Sequence, residues 1–307
     1  MRNEIICGDS IQIIKNIPSC TIHAIISDIP YGIGYDDWDV LHENTNSALG
    51  GTCASQKEGG SLFKRRGKPL NGWSEADKQI PLEYQKWCES WASDWFRLLL
   101  PGASCFVFAG RRYAHRCIIA LENIGFTFKD MLAWFKQSAA HRAQRLSEIY
   151  RRRGDLQNAN VWEGWRVANL RPLFEPILWF QKPYRTGGTI ADNVLAYGVG
   201  GWNEQALKHY NRVASEEVAS NILRVATARE DWGKHITQKP LQLMELLVSL
   251  VTRKGDIVLD PFAGSGTTCV AAHRLERNYI GIEISEENVA IAKKRLEESY
   301  TLSLPLS

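Results

Sequence analysis

The sequence predicts an α/β fold built around a parallel, doubly wound sheet. Short apolar runs alternate with helical patterns along the chain, and most of these runs end in a polar or small residue, as buried parallel strands do. Strands that alternate with helices are typical of sheets covered by helices on both faces. The chain has 307 residues, which suffices for one large domain with insertions or for a catalytic domain with a small additional region.

Seven apolar runs predict the strands and six patterns predict the helices. The strand ranges are residues 4–7, 23–27, 104–108, 132–135, 177–180, 256–259 and 279–282. The helix ranges are residues 11–17, 82–100, 113–124, 241–251, 267–275 and 286–298. Local signals agree with three helix boundaries, because Pro240 suits a first helical turn, Ser285 can cap a helix and Gly102 breaks one.

Two stretches interrupt the alternation of strands and helices. Residues 39–80 are polar and rich in glycine, so we predict a long mobile loop, and loops of that length are usually functional or disordered. Residues 137–234 contain five tryptophans and an arginine cluster, but only a short strand candidate in the middle. These two stretches are therefore predicted as additions to the sheet.

Charge and cysteine content narrow the functional class. The formal net charge is only +3, but arginines cluster at 111–116 and 142–153, which fits a polyanionic partner or a solvated helical face about equally. Seven cysteines without a Cys-x-x-Cys pair predict reduced thiols and no metal site. The sequence shows no signal-peptide core and no apolar stretch of transmembrane length. We therefore expect a soluble, cytoplasmic protein that does not bind membranes.

The strongest pattern is a strand that ends in an acid, followed by a glycine turn and a helix. The segment reads Asp260-Pro261-Phe262-Ala263-Gly264-Ser265-Gly266-Thr267-Thr268. Gly264 and Gly266 allow backbone angles and a close ligand approach that a Cβ would forbid, and the helix start presents N–H groups to an anion or carboxylate. A second strand ends at Glu283, roughly twenty residues on, where a carboxylate can bind ribose hydroxyls.

Three ligands compete for this arrangement. A nucleoside triphosphate needs Gly-Lys-Ser/Thr, but here Gly266 is followed by Thr267. A nicotinamide dinucleotide favours a third glycine, and Cys269 stands at that place. S-adenosylmethionine remains, because it has a ribose and a carboxylate but no phosphate. A tight turn that binds no ligand is the alternative.

The second pattern is Asp28-Ile29-Pro30-Tyr31, which directly follows a buried strand. The exocyclic amine of adenine or cytosine is a weak nucleophile, because its lone pair is delocalised into the ring. Asp28 can accept from one N–H group and a backbone carbonyl of Ile29 or Pro30 from the other. Tyr31 offers an aromatic face, and stacking contributes about 1–3 kcal/mol per base. A base reaches such a site only when it is flipped out of the duplex, and catalysis then rests mainly on positioning.

Together these segments resemble the β type of amino-group DNA methyltransferases, which act on N6 of adenine or N4 of cytosine. The family's Asp-Pro-Phe-x-Gly-Ser-Gly-Thr-Thr is complete from Asp260, and its Asp/Asn/Ser-Pro-Pro-Tyr/Phe reads Asp28-Ile29-Pro30-Tyr31 here. Residues 235–240, His-Ile-Thr-Gln-Lys-Pro, and the pair Gly8-Asp9 resemble further cofactor motifs. Residues 95–102, 134–136 and 171–178 resemble the later sheet motifs, all in the expected order.

The resemblance implies a Rossmann-like methyltransferase sheet that depends on S-adenosylmethionine and has a permuted strand order. Residues 1–136 would form the catalytic half, residues 137–234 the later strands with an inserted target-recognition region, and residues 235–307 the cofactor half. The implied cofactor-binding residues are Asp9, Asp28, Lys239, Asp260, Phe262, Gly264, Ser265, Gly266, Thr267 and Glu283. The implied catalytic residues are Asp28, Pro30 and Tyr31. Ile29 and Ile236 replace family prolines, which loosens two loops but removes neither acceptor.

The resemblance also implies the target and the partner. An aspartate at position 28 favours N6-adenine over N4-cytosine. The expected partner is double-stranded DNA, with a homodimer left open, in a bacterial or phage-encoded system. The candidate phosphate contacts are Lys64, Arg65, Arg66, Arg111, Arg112, Arg142 and Arg145. Base reading is expected from polar and aromatic residues within 137–234, but Trp162, Trp165 and Trp202 are expected in the core or at interfaces.

Three other functions stay open at this point. Enzymes that methylate RNA or the amide nitrogens of proteins use the same cofactor and an Asp-x-Pro-Tyr motif. A non-catalytic partner in a heteromeric methyltransferase is disfavoured by the intact Asp28, Tyr31, Gly264 and Glu283. A nucleotide-dependent enzyme is disfavoured by the missing P-loop lysine.

Overall fold

The computed structural model describes residues 2–32, 75–136, 143–167, 170–214, 219–225 and 238–303. Within these ranges the chain forms a mixed α/β fold with one eight-stranded sheet, which confirms the predicted fold class. The strands are β1 (Glu4–Cys7), β2 (Ile22–Asp28), β3 (Leu99–Phe108), β4 (Thr127–Phe135), β5 (Phe174–Gln181), β6 (Ile222–Leu223), β7 (Ile257–Asp260) and β8 (Asn278–Glu283). The helices are α1 (Ser10–Ile13), α2 (Glu75–Leu98), α3 (Ala114–Ile124), α4 (Leu146–Arg152), α5 (Leu156–Val161), α6 (Ile190–Tyr197), α7 (Glu204–Tyr210), α8 (Leu241–Val251), α9 (Thr267–Arg274) and α10 (Glu286–Ser303).

The sheet has the strand order β1-β8-β7-β2-β3-β5-β4-β6. The first five of these strands are parallel, and β1 pairs with β8 although the two lie at opposite ends of the sequence. This pairing confirms the permuted order. In contrast, β5 runs antiparallel to both β3 and β4, so the predicted parallel sheet is mixed at this strand. The chain passes from β4 to its direct neighbour β5 without a crossover over the sheet, and such neighbours pair antiparallel.

The largest boundary difference concerns α2, which begins at Glu75 rather than at residue 82. Residues 75–80 of the predicted loop 39–80 are therefore helical, and residues 39–74 lie outside the described residues. The added turns bury Ile80 in the core, which stabilises them, and Pro81 lies within the helix. The helix also ends earlier than predicted, so Gly102, with φ +81°, lies inside β3 instead of ending a helix.

Four helices, α4 to α7, lie in the stretch where only a strand was predicted. They are short, so their hydrophobic periodicity is weak, but side chains cap three of them. Asp155 caps α5, Asn203 caps α7, and Thr189 forms a capping box with Asp192 at the start of α6. These capping residues were the signals that could have revealed the helices.

The apolar core lies on both faces of the sheet. One face packs against α2 and α3, with Trp91 and Trp95 of α2 fully buried. The other face packs against α7, α8, α9 and α10. This two-sided covering buries both faces of the sheet, and the parallel pairing of β1, β8, β7, β2 and β3 brings their carboxyl ends to one edge. Among the described residues, no helix combines the length and the apolar character needed to cross a bilayer.

Candidate active site

Acidic side chains follow four neighbouring strands at the same edge of the sheet. Asp28 ends β2, Asp260 ends β7, Glu283 ends β8, and Asp9 follows β1. These strands are adjacent in the order β1-β8-β7-β2, and the carboxyl ends of parallel strands form the ligand-binding edge of such sheets. The two predicted motifs, far apart in sequence, therefore lie side by side.

Ser27 and Asp260 join the two motifs directly. The Ser27 hydroxyl donates a 2.7 Å hydrogen bond to Oδ1 of Asp260, which also accepts from the backbone N–H of Phe262. Burial raises the pKa of Asp260 to about 6, in spite of the hydrogen bonds that favour the ionised form. Asp260 is 3% exposed and supports the turn from within. Whether it also contacts a cofactor stays a prediction.

The two glycines of the turn serve different geometric needs. Gly264 has φ +50°, and a Cβ at this position would have no atom within 4 Å, so its outer side faces open space. Gly266 has φ +77°, and its Cβ would lie 2.7 Å from Cβ of Ala292 in α10. Gly264 thus leaves room for a ligand against the backbone, whereas Gly266 allows close packing between helices.

The carboxylate of Glu283 holds the turn and keeps capacity for a ligand. Oε2 accepts from the N–H of Gly264 at 2.8 Å, and Oε1 accepts from the N–H of Ser285 at 2.9 Å and from the Asn288 amide at 3.4 Å. A carboxylate has about four acceptor positions, so one remains for a ribose hydroxyl. Asp9 is exposed, and its Oδ1 caps α1 through the N–H of Ile11 at 2.9 Å. The residues present therefore fit a ligand that carries a ribose.

The side chains of Ser265 and Thr267 face α10. The Arg295 guanidinium donates to the carbonyl and hydroxyl of Ser265, at 2.6 and 3.0 Å, and to the hydroxyl of Thr267 at 2.9 Å. Sequence reasoning missed Arg295, which anchors the turn. A cofactor contact by Ser265 or Thr267 stays a prediction, and it would have to use the backbone or share the hydroxyl with Arg295.

Phe262 joins the turn to α2 through an aromatic cluster. Its ring centroid lies 5.8 Å from that of Trp87, 6.3 Å from that of Trp91 and 6.2 Å from that of Trp95. These tryptophans lie on one face of α2, four residues apart. Phe262 is half-buried and presents an apolar surface beside the glycine turn.

Asp28 lies at the centre of a charged network. Its Oδ1 is 2.9 Å from the Tyr31 hydroxyl, and its Oδ2 accepts from Nζ of Lys239 at 2.5 Å. Burial raises the pKa of Asp28, although Lys239 opposes the shift. The carbonyl of Pro30 accepts from the Tyr84 hydroxyl at 3.2 Å. Lys239, expected at the cofactor, thus contacts Asp28, the predicted catalytic residue.

Glu175 of β5 completes this network from the antiparallel strand. Its Oε1 lies 2.5 Å from the Tyr31 hydroxyl and 3.0 Å from Nζ of Lys239, and its Oε2 forms an ion pair with Lys136. Burial opposes ionisation of Glu175, but the two lysines outweigh it and lower the pKa to about 2. Burial also disfavours the charged form of Lys239, yet the two carboxylates raise the pKa of this lysine.

Glu175 and Lys136 stand in the matched motifs but received no role from the sequence. The signal that could have identified Glu175 is an acid inside an otherwise apolar run, Phe174-Glu175-Pro176-Ile177-Leu178. A buried acid needs a partner, and Lys239, 64 positions further along the chain, could not be paired with it from sequence alone.

The arginines predicted to contact DNA are only partly described. Arg111 is exposed and Arg112 half-buried, and both follow β3 at the same sheet edge as Asp28, since Asp28 lies opposite Phe108. Arg145 is exposed, and its backbone forms an isolated antiparallel β-bridge with that of Arg166. The other candidates, Lys64, Arg65, Arg66 and Arg142, lie outside the described residues. Two of the candidate contacts therefore lie near the sheet edge that carries Asp28.

Two tryptophans of the inserted region lie outside the core. Trp165 is 60% exposed and Trp202 is 47% exposed, so neither is a core residue, and a place at an interface stays a prediction. Trp162 is half-buried and meets Trp165 edge-on, with ring centroids 5.3 Å apart. Trp162 and Trp165 follow the two short helices α4 and α5, whereas Trp202 directly precedes α7.

Comparison with known proteins agrees with this geometry. The DNA methylase family of N6 and N4 enzymes matches residues 22–294. The chain is 63% identical over 289 residues to the Type II methyltransferase M.HindIII of Haemophilus influenzae, covering 94% of this chain and 93% of that protein. It is 24% identical over 310 residues to the DNA adenine methyltransferase YhdJ of Escherichia coli, and the match covers 95% of this chain and 82% of that protein.

A solved structure shares the fold. TTHA0409 of Thermus thermophilus, named as a putative DNA modification methylase and complexed with S-adenosyl-L-methionine, superposes with a TM-score of 0.55. It is 19% identical, and the match covers 96% of this chain and 93% of that one. The family match, the 63% identity and the shared fold lead to one conclusion. This chain belongs to the N6/N4 amino-group DNA methylases and is a site-specific DNA methyltransferase that depends on S-adenosylmethionine.

Proposed function

We propose that this enzyme methylates N6 of adenine in duplex DNA, and that it holds the target amine at Asp28. The observation that carries this proposal is the adjacency of β2 and β7, which puts Asp28 beside the glycine turn. S-adenosylmethionine supplies the methyl group on a sulfonium. The residues of the chain then have to hold the amine, direct its lone pair and keep competing hydrogen-bond donors away from the acceptors of the amine.

The acceptors for the amine are the Asp28 carboxylate and the carbonyl of Ile29. The sequence left Ile29 and Pro30 as alternatives for the second acceptor. The Tyr84 hydroxyl already donates to the Pro30 carbonyl at 3.2 Å, which favours Ile29. Positive charge develops on the nitrogen as the new bond forms, and a preorganised carboxylate beside it stabilises that charge.

Tyr31 is suited to hold the flipped base by stacking. Its hydroxyl is tied to Asp28 and Glu175, and its Cβ packs against Gly110, where an added Cβ would lie 2.9 Å away. The ring therefore has a fixed orientation before a base arrives. Gly264, Phe262, Asp9 and Glu283 would hold the cofactor, with the Glu283 carboxylate at the ribose.

Three further points belong to the same proposal. Adenine is favoured by the aspartate at position 28 and by the likeness to an adenine methyltransferase, with N4-cytosine as the alternative. The enzyme would work in the bacterial cytoplasm as the modification half of a restriction system, as the Type II relative suggests. A homodimer stays an expectation, and sedimentation velocity of the purified protein distinguishes it from a monomer.

The test combines sequencing with one substitution. Methylation-sensitive sequencing of DNA from cells that express the protein should report N6-methyladenine in one sequence context. Asp28→Ala should abolish transfer and leave cofactor binding nearly intact by calorimetry. Asp94→Ala, in a half-buried ion pair with Arg97 at the end of α2, is the matched control and should retain activity. Methylated cytosine would overturn the adenine assignment, and full turnover by Asp28→Ala would overturn the site.

A further inference from the structure

Each oxygen of the Asp28 carboxylate faces a protein donor. The Tyr31 hydroxyl lies 2.9 Å from Oδ1, and the Lys239 ammonium lies 2.5 Å from Oδ2. An incoming amine needs one of these oxygens. The amine therefore competes with these two donors for the oxygens of Asp28, and a second acceptor that holds the donors would favour the amine.

Glu175 offers that acceptor to both donors at once. Its Oε1 lies 2.5 Å from the Tyr31 hydroxyl and 3.0 Å from Nζ of Lys239. A phenol has one proton, so Tyr31 can donate to Asp28 or to Glu175, but not to both. The shorter distance belongs to Glu175.

The charges of the network also balance around Glu175. Two carboxylates, Asp28 and Glu175, face two ammonium groups, Lys239 and Lys136, and the side chains of Glu175 and Lys239 are each 9% exposed. If Glu175 lost its charge, Asp28 would be the only negatively charged partner of Lys239 among these four described groups. A buried lysine would then hold Asp28 tightly, because separating the pair would leave an unpaired buried charge.

We propose that Glu175 is a positioning residue for methyl transfer, which takes the Lys239 ammonium and the Tyr31 hydroxyl so that Asp28 can accept the substrate amine. The exchange involves hydrogen bonds only and needs no covalent step. This inference rests on the proposed role of Asp28. It assigns to β5, the antiparallel strand, a part in the chemistry that takes place at the parallel strands.

The experiment compares Glu175→Gln with the unaltered enzyme in single-turnover methylation of unmethylated bacterial genomic DNA. The glutamine keeps the size and an acceptor but removes the charge. We expect the rate to fall about 10- to 100-fold, as on loss of one hydrogen bond to a charged group. Cofactor affinity should stay within about twofold, because the contacts of Glu175 described above are all with the Asp28 network and not with the glycine turn. Glu204→Gln, which removes a surface charge paired with Lys208, is the matched control.

Two further readouts separate positioning from a merely structural role. The acid limb of the rate–pH profile should move to lower pH in Glu175→Gln, because the Glu175 charge helps to raise the pKa of Asp28. The double variant Glu175→Gln/Lys239→Gln should be faster than Glu175→Gln alone, since the lysine that masks Asp28 is then gone. If Glu175→Gln fails to unfold cooperatively, Glu175→Asp, which keeps the charge but shortens the reach, should still reduce the rate.

The outcomes are distinct. A Glu175→Gln rate within about twofold of the unaltered enzyme would overturn the inference, and so would losses that simply multiply in the double variant. The proposed function fails separately, through full turnover by Asp28→Ala. An inactive Asp28→Ala with a normal Glu175→Gln would leave Asp28 as the acceptor and remove the role of Glu175.

Discussion

The hydroxyl of Ser27 donates a 2.7 Å hydrogen bond to Oδ1 of Asp260, and this contact joins β2, which ends in Asp28, to β7, which leads into the glycine turn. Ser27 is the residue before Asp28, and Asp260 begins the turn that contains Gly264. The two motifs are therefore coupled by one buried interaction as well as by the pairing of β2 with β7.

Removing the Ser27 hydroxyl should weaken both the fold and the cofactor site. In Ser27→Ala the Asp260 carboxylate loses a donor in a buried position, and we expect a loss of about 1.5–3 kcal/mol in the free energy of unfolding. Urea denaturation measures this loss, and calorimetry measures the accompanying fall in cofactor affinity. Ser90→Ala, which removes a hydroxyl that bonds the Trp87 carbonyl on an exposed surface, should change neither.

Asp260 should make the free energy of unfolding fall as the pH rises from the ordinary pKa of an aspartate to the raised pKa of Asp260 in the folded protein. The folded protein keeps this carboxyl protonated up to about pH 6, whereas the unfolded chain releases the proton near 3.8. Its contribution is therefore fully present below pH 3.8 and is lost as the pH rises to about 6. A shift of about two pKa units corresponds to about 3 kcal/mol.

Urea denaturation of the unaltered protein and of Asp260→Asn between about pH 4 and 7 checks this prediction. The difference in the free energy of unfolding between the two proteins should change by about 3 kcal/mol from about pH 4 to about pH 7. Asp192→Asn should show the opposite slope, because hydrogen bonds from Thr189 lower the pKa of Asp192. A pH-independent difference for Asp260→Asn would contradict the assignment.

The two turn glycines should respond differently to alanine. Gly266→Ala combines a positive φ with a Cβ 2.7 Å from that of Ala292, so it should lower Tm strongly. Gly264→Ala has room for its Cβ, so its stability cost should be near the value of about 1–2 kcal/mol that is typical of this backbone region. Its Cβ would instead occupy the ligand side, and cofactor affinity should fall more than Tm. Equal effects of the two variants on Tm would refute this division.

Arg111 and Arg112 should each contribute one phosphate contact. Replacing either one by alanine should weaken DNA binding for all sequences and lower the slope of log K against log salt by about 1. Fluorescence anisotropy over a salt series measures the slope. Arg151→Ala is the control, because Arg151 is already paired with Glu148 and Glu163. An unchanged slope of log K against log salt for both variants would mean that the DNA does not contact Arg111 or Arg112.

Local patterns predicted much of this fold, because its strands and longer helices carry their own periodicity. The runs at residues 4–7 and 241–251 match β1 and α8 at both ends. The antiparallel β5 was missed in direction, since an apolar run reads the same in both directions. The short helices α4 to α7 were missed because two turns carry too little periodicity, even where Asp155 caps the start.

The sequence predicted the motifs of the site but not which side chains contact each other across distant segments. Asp28, Gly264 and Glu283 stand in local patterns that imply chemistry. The contacts of Glu175 with Lys239 and of Arg295 with Ser265 join distant segments, and only the folded chain brings them together. Lys239 illustrates the difference, because its motif indicated the cofactor while its ammonium lies against the aspartate.

The pairing of β1 with β8 has a consequence for synthesis on the ribosome. Glu4 pairs with Ile280, so β1 can pair with its neighbour only after all the strands between them in the sequence have been synthesised. An interrupted translation product holds Asp28 without the strand that ends in Glu283. Such a fragment lacks half of the ligand edge, and abortive synthesis of this protein should therefore yield inert material rather than an enzyme with altered specificity.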